Sequence, residues 1–354
     1  MRVVVTGAAG QLGRDLVDVL SGREPMGGCG GASGGAVLAG VAWPRGASPG
    51  RGLEVLGTDL PELDLTDRAA VRAYIETVRP DAVVHAAAWT AVDDCEGDPD
   101  RAFAANALAT RHVVEAAGRM GAHVVYISTD YVFDGTSPRP YLEWDPPRPM
   151  SVYGRSKHAG ELEVGDRGTV VRTSWVCGFH GANMVKTVLR LAGSPGPLRF
   201  VGDQHGSPTF TADLAPAIAR LVAERRPGVF HLTNSGATTW FGFAQAVLAA
   251  AGHDAARVEP IATADLDPPR PAPRPASSVL DNAAWRLSGL PALADWNDAL
   301  GRLVAALGVA GPGVAGPGVA GVSAGTGRGA AGPGANRVPG RGDEPTASAV
   351  KEGI

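Results

Sequence analysis

The sequence predicts an α/β protein: a Rossmann-like, doubly wound parallel sheet with a smaller C-terminal lobe. Three observations predict it. Short valine-rich runs alternate with helical stretches over the first half of the chain. Those runs are continuously apolar, the pattern of strands covered on both faces. A glycine motif stands between the first run and the first helix, where such folds turn from strand to helix.

The elements follow in order. M-R-V-V-V-T-G reads as the first strand and Gly10–Leu20 as the first helix. L-E-V-L-G-T-D and Arg68–Val78 repeat the unit. D-A-V-V-H-A-A-A precedes a helical stretch over Pro99–Met120, and H-V-V-Y-I-S-T precedes one over Ser151–Val164. T-V-V-R-T-S-W is the fifth strand. Beyond it, P-L-R-F-V-G-D-Q and G-V-F-H-L-T-N, with helices near Thr211–Glu224, Trp240–Ala251 and Ala294–Ala306, build the smaller lobe, interleaved with late parts of the sheet. The larger unit is expected over 1–174 and the lobe over 175–307. Two glycine-rich segments, 21–52 and 308–354, lack the apolar periodicity that buries a core. They are expected to be a disordered insertion and a disordered tail.

The 354 residues suggest roughly two domains and a substantial core. Net charge is −4 and the pI is near 6.1, so neither nucleic acid nor an anionic membrane is indicated as a partner. Cys29, Cys95 and Cys177 are far apart and show no C-x-x-C spacing, which argues against a zinc site or a disulfide framework. The start lacks an apolar signal region, and no apolar run approaches the ~18–20 residues of a spanning helix. A cytoplasmic protein is expected.

T-G-A-A-G-Q-L-G, Thr6 to Gly13, is the first chemical motif. Its G-x-x-G-x-x-G spacing at a strand-to-helix turn lets a pyrophosphate approach backbone N–H groups at the helix N-terminus. Asp59, closing the second strand, is the candidate for the adenosine ribose; an acid there favours NADH over NADPH, whereas Arg45 or Arg51 could serve a 2′-phosphate. Asp64 is placed either to meet the adenine or to cap the helix that follows. Ala86, Ala87 and Ala88 are small enough for a cofactor to lie close to the third strand. His85 reads as a hydrogen-bonded residue at a strand end rather than a metal ligand.

Ser128 and Thr129 end the fourth strand, at the crevice where open sheets bind ligands; the alternative is a turn-capping role. Downstream, Tyr153 and Lys157 lie at i and i+4, one turn apart on one helix face. A free phenol titrates near 10. An ammonium ~4 Å away at an effective dielectric of ~20 contributes ~4 kcal/mol, enough to lower that by about three. Such a pair is suited to acid–base work on a carbonyl near neutral pH.

Together these residues resemble the extended short-chain dehydrogenase/reductase superfamily. G-Q-L-G, E-L-D-L-T-D, A-A-A-W-T-A-V-D, S-T-D-Y-V-F-D-G, Y-G-R-S-K, R-T-S-W-V and D-Q-H-G-S-P-T more closely resemble the dTDP-4-dehydrorhamnose reductase family, across residues 1–20 and 53–305. The resemblance implies reduction of the 4-keto group of dTDP-4-dehydro-L-rhamnose to dTDP-L-rhamnose, with NADPH or NADH. It implies that Gly7, Gly10, Gln11, Leu12 and Gly13 cradle the pyrophosphate, that Asp64 and Leu65 flank the adenine, and that Ala86–Ala88 line the cofactor. It assigns Thr129 to the keto oxygen, Tyr153 to proton donation, and Lys157 to the nicotinamide ribose and to tuning the tyrosine. Thr90, Val92 and Trp175 would touch the sugar, and Asn183 and the Asp203 loop the nucleotide end. The lobe would bind the dTDP-sugar substrate.

Three departures stand out. His85 replaces a usual asparagine, Cys177 a common tyrosine, and the 21–52 insertion leaves the NADPH-versus-NADH preference open. Some relatives hold magnesium at a dimer contact; no carboxylate cluster at ligand spacing is legible, so no metal residue is assigned and magnesium is left open, as is monomer or homodimer. Two other readings stand beside this one: a reductase, dehydratase or epimerase of another 4-keto sugar nucleotide, and a non-catalytic subunit similar to the regulatory subunit of methionine adenosyltransferase.

Overall fold

The computed structural model describes residues 1–28, 37–38 and 40–309. Its centre is a sheet of strands β1 (Arg2–Thr6), β2 (Glu54–Thr58), β3 (Ala82–His85), β4 (His123–Thr129), β5 (Thr169–Thr173) and β6 (Gly228–His231). The spatial order is β2-β1-β3-β4-β5-β6, and every pairing is parallel. The chain runs from β1 out to β2, then crosses back to β3, so the switch point lies between β1 and β3.

The valines of β1 explain why a continuous apolar run is needed. Successive side chains point to opposite faces of a strand. Val3 and Val5 enter one core with helices α1 (Gln11–Leu20) and α5 (Thr211–Glu224). Val4 enters the other, against α2 (Arg68–Val78) and α3 (Ala109–Arg119). All three valines are fully buried, each contributing about 1.5–3 kcal/mol. The helix α4 (Val152–Val164) covers β4 and begins where Ser151 Oγ accepts the Gly154 N–H at 3.1 Å. α2 begins at Asp67, whose carboxylate accepts from the N–H groups of Ala69 and Ala70.

The smaller lobe has its own core, built from the helices Met184–Ala192, Trp240–Ala250 and Trp296–Ala306. Short strand pairs, including Leu198–Val201 with Val258–Ile261, close it. α5 and β6 return to the large sheet between these pieces.

The glycine-rich segment 21–52 departs from the expectation of disorder wherever it is described. Val37, Trp43 and Ala47 are buried in the α1–α5 core. Arg220 of α5 donates to the Val37 carbonyl at 2.7 Å, and Arg302 donates to the Gly27 carbonyl at 3.2 Å. A few apolar residues suffice to dock a segment whose average composition is poor in them. Residues 29–36 and 39, and the tail from 310 to 354, lie outside the described residues. Among the described residues no helix is long and apolar enough to cross a membrane.

Candidate active site

The glycine turn is shaped by close backbone approach. Gly7 has φ +70°, and a Cβ there would sit 2.6 Å from the Ala87 nitrogen. A Cβ on Gly13 would sit 2.0 Å from the Gly7 carbonyl oxygen. α1 starts at Gln11 with Gly10 as its N-cap and no side chain capping it, so its first amides face outward without a side-chain acceptor. A cavity of ≈ 670 Å³ opens beside this turn, lined by Gly7, Gly10, Asp59, Asp64, Leu65 and Ala86–Ala88 among others. Those cofactor candidates, scattered through the sequence, are thus brought to one cleft at the carboxyl end of the sheet. Leu12 is buried and Gly13 backs the turn.

Asp59 holds the turn. One carboxylate oxygen accepts the Ala9 N–H at 3.0 Å and the other the Leu60 N–H at 2.9 Å. Asp64 does not cap α2, which is Asp67's role; its Oδ1 accepts from Thr66 N–H and Oγ1–H, and these bonds hold its carboxyl below the usual range. Arg51 is exposed, in a bridge with Ser48. The Gln11 side chain is committed within the chain: its Nε2 donates to the Val176 carbonyl at 3.0 Å and its Oε1 accepts from Asn183 at 2.7 Å.

Thr129, Tyr153 and Lys157 come together where β4 ends against α4. All three are buried. The Thr129 hydroxyl donates to Asp130 Oδ1 at 3.0 Å and accepts the Tyr131 N–H at 3.2 Å. It lies close enough to the Tyr153 phenol to pull its pKa down. The Tyr153 ring meets Tyr131 edge-on at 5.9 Å. Lys157 Nζ donates to the Ile127 carbonyl at 2.7 Å and lies 4.1 Å from the centre of the Tyr126 ring.

This geometry corrects the expected electrostatics. Burial pushes the Tyr153 phenol above its ordinary value, only partly offset by Thr129 beside it. Lys157 is itself brought down to about 7 by burial, against the opposing pull of Glu161. The ammonium is aimed at a carbonyl and a ring face, and desolvation outweighs its attraction for a phenolate. Tyr153 is therefore a neutral acid at pH 7, the form that can give a proton to an alkoxide. Asp130, beside it, is raised to about 7 by burial, with bonds from Ser278 and Thr129 opposing.

The remaining candidates divide. Val92 is buried in a cluster with Tyr153 and Ala272, while Thr90 is exposed nearby. Trp175 is half-buried at φ +46°, a left-handed conformation that costs a bulky residue of order 1–3 kcal/mol. Its ring stacks on Trp240 at 3.5 Å, and a Cβ on Gly206 would lie 2.4 Å from it. Asn183, expected at the nucleotide end, uses its amide inside the chain. It caps the Met184–Ala192 helix, and its Nδ2 donates to Gln11 and to the Gly178 carbonyl. Asp203 accepts three bonds from the backbone and hydroxyl of Thr263, which makes it a loop tie.

Several residues escaped the sequence reading. Asn106 sits in a π-helical turn, Ala104–Leu108, and clamps Trp89 by accepting from its N–H and donating to its carbonyl. Such turns often mark functional sites. Arg274 forms a two-pronged pair with Asp93, fixing the loop beside Val92. His85 is fully buried between the hydroxyls of Thr6 and Thr110. Carboxylates of Asp15 and Asp18 and the His180 ring do come within ligand spacing, their nearest atoms within 4.8 Å of one another. The i, i+3 acids were visible in sequence; the histidine from a distant loop was not.

The family model described as RmlD substrate binding domain matches residues 1–309. A dTDP-4-dehydrorhamnose reductase of Streptomyces griseus is 43% identical over 315 residues, covering 86% of this chain and 94% of that relative. A dTDP-4-keto-6-deoxy-D-glucose reductase of Streptomyces niveus is 38% identical, covering 84% of this chain and 95% of its own. The solved dTDP-4-dehydrorhamnose reductase of Bacillus anthracis, in complex with NADP, superposes with a TM-score of 0.74 at 34% identity, covering 86% of this chain and 98% of that one.

Proposed function

We propose the reaction from a fixed premise: this chain belongs to the RmlD substrate binding domain family. The chain reduces the 4-keto group of dTDP-4-dehydro-L-rhamnose, giving dTDP-L-rhamnose, with NADPH or NADH as reductant. It acts in the cytoplasm. The observation that carries this reading is the buried Thr129–Tyr153–Lys157 set at the carboxyl end of the sheet whose glycine turn opens the cofactor cleft.

The residues fit a dinucleotide. Side chains at Gly7 or Gly13 would occupy the space that keeps the turn tight, and the uncapped α1 terminus suits a pyrophosphate. When bound, the nicotinamide supplies hydride to the carbonyl carbon. Tyr153, protonated at neutral pH, gives its proton to the forming alkoxide. Thr129 orients the phenol and the keto oxygen. Lys157, held over the β4 end, offers positive charge as the phenolate forms. Asp59 lines the cleft and would meet the adenosine ribose there, where its charge would disfavour a 2′-phosphate, so NADH would be accepted alongside NADPH.

A second reading, reduction of another dTDP-4-keto-6-deoxysugar, is favoured by the Streptomyces niveus relative's similarity. The deciding experiment offers the purified chain a panel of dTDP-4-keto-6-deoxysugars and follows NADPH oxidation. Preference for the dehydrorhamnose nucleotide is expected. Folded protein that binds NADPH but turns over none of them would favour a non-catalytic subunit.

A further inference from the structure

The face of α4 that carries Tyr153 and Lys157 continues one more turn, to Glu161 at i+8. We infer that Glu161 is a positioning residue for the proposed reduction: it ties the end of β4 to α4 through Ser128 and supplies the negative charge that balances the ammonium of Lys157.

Three consecutive residues of β4 each face one member of this helix face, and two of them are hydrogen-bonded to it. The Ile127 carbonyl accepts from Lys157 Nζ at 2.7 Å. Ser128 Oγ donates to Glu161 Oε1 at 2.5 Å. Thr129 stands beside the Tyr153 phenol and pulls its pKa down. Ser128 is therefore the middle rung, and Glu161 sets the spacing between the strand that carries Thr129 and the helix that carries the acid. From β5, Arg172 stands in register with Ser128 and closes on the same carboxylate, Nε to Oε1 and Nη2 to Oε2, both at 2.8 Å. Glu161 and Arg172 are almost fully buried.

Stability alone is a poor explanation for this pair, because burying two charges costs as much as their attraction returns, and well-packed apolar residues would hold the elements as well. The charges around Lys157 make the case. β3 presents His85, β4 Tyr126, β6 His231, and α4 itself His158. His85 and His231 are held down to about 3 by burial and are neutral at pH 7. The turn after β4 brings Asp130 toward Tyr153, not Lys157. From the segments before α3 come Cys95, beside Tyr153, and Glu96, which accepts the Val152 N–H. The π turn and the start of α3 contribute Asn106 and Thr110, both uncharged; Arg111 of α3 pairs with Glu163 on the solvent side. Glu161 is thus the anion of this layer, and its field opposes the desolvation of Lys157.

The test reads Lys157 directly. The chain has three lysines, Lys157, Lys186 and Lys351. Protein labelled with ¹³C-lysine therefore gives three side-chain signals, assigned with Lys186→Arg and Lys351→Arg. In the unmodified chain the Lys157 signal should titrate near 7. Glu161→Gln should lower that titration by about one pH unit or more, the effect of removing a charge roughly 6 Å away at an effective dielectric of about 20. The alkaline fall of kcat/KM for NADPH oxidation should move down with it. The double variant Glu161→Gln with Arg172→Gln removes the uncompensated guanidinium and should lower the titration too. A Lys157 titration unmoved in either folded variant overturns the inference. So does failure of both variants to fold, which would leave Glu161 a stabilising residue only. The inference rests on the reductase reading for its meaning, but the lysine titration needs no substrate. Wild-type protein that shows the shift yet turns over no dTDP-sugar would sink the reductase reading alone.

Discussion

Gly13→Ala tests the close approach that shapes the cofactor turn. The new Cβ would lie 2.0 Å from the Gly7 oxygen and 2.8 Å from the Ala8 Cα. Ordinary contact begins near 3.4 Å, so the Gly7–Ala8 segment has to retreat by more than about 1 Å. That segment is the wall of the cleft. A misplacement of about 1 Å in a positioning element costs on the order of 10²-fold. Position 13 is helical, where alanine is favoured over glycine by about 1 kcal/mol, so the helix itself gains. The expected result is NADPH binding weakened roughly 100-fold, about 2.7 kcal/mol, together with a lowered melting temperature, because the clash is with backbone and outweighs the helix's gain. Calorimetric titration with NADPH and a thermal melt on the same sample measure both. Binding within about threefold of the parent would refute the argument that this close approach shapes the cofactor site.

Three further outcomes are expected. Tyr153→Phe should reduce turnover by about 10²–10⁴-fold while leaving NADPH affinity unchanged; turnover near the parent's would remove the phenol from its role. Trp43→Ala should destabilise the fold by about 3–5 kcal/mol in urea, since it empties a buried site between α1 and α5; a loss below about 0.5 kcal/mol would show that the docked segment carries no weight. Acid should destabilise the protein early. His85, His123 and His231 are buried, and burial holds them at about 3, about 4 and about 3. Below the ordinary histidine value of 6.5 the unfolded chain takes up protons that the folded chain refuses. Stability is then lost as pH falls from 6.5 towards 4, by up to about 4 kcal/mol per pH unit for the three groups. Urea unfolding free energies that stay flat across this range would contradict their burial as neutral rings.

The strands were legible because a two-sided parallel sheet leaves little freedom: Val3, Val4 and Val5 must all be apolar when both faces are covered. The shared helix face of Tyr153 and Lys157 was legible for a similar reason, since helical spacing is fixed by geometry and places one under the other. The same rule reaches Glu161, but its meaning depends on Arg172 from β5 and Ser128 from β4, partners that only the sheet register unites. Desolvation was invisible as well: whether Lys157 acidifies Tyr153 depends on how dry both are and where the ammonium points. Composition misled at Trp43, because a glycine-rich average conceals one large side chain with a groove to fill. The partners of Asn183 were invisible too: it caps its own helix and bonds Gln11, far away in the chain.

That last bond joins distant parts of the molecule. Gln11 opens the helix at the dinucleotide turn, whereas Asn183 begins a helix of the smaller lobe's core. Any hinge opening that swings the lobe away from the sheet has to break the amide–amide link or drag the first turn of α1 with it. Movements of the lobe and of the first turn of α1 are on this account mechanically geared, through this amide pair and through the Gln11 bond to the Val176 carbonyl.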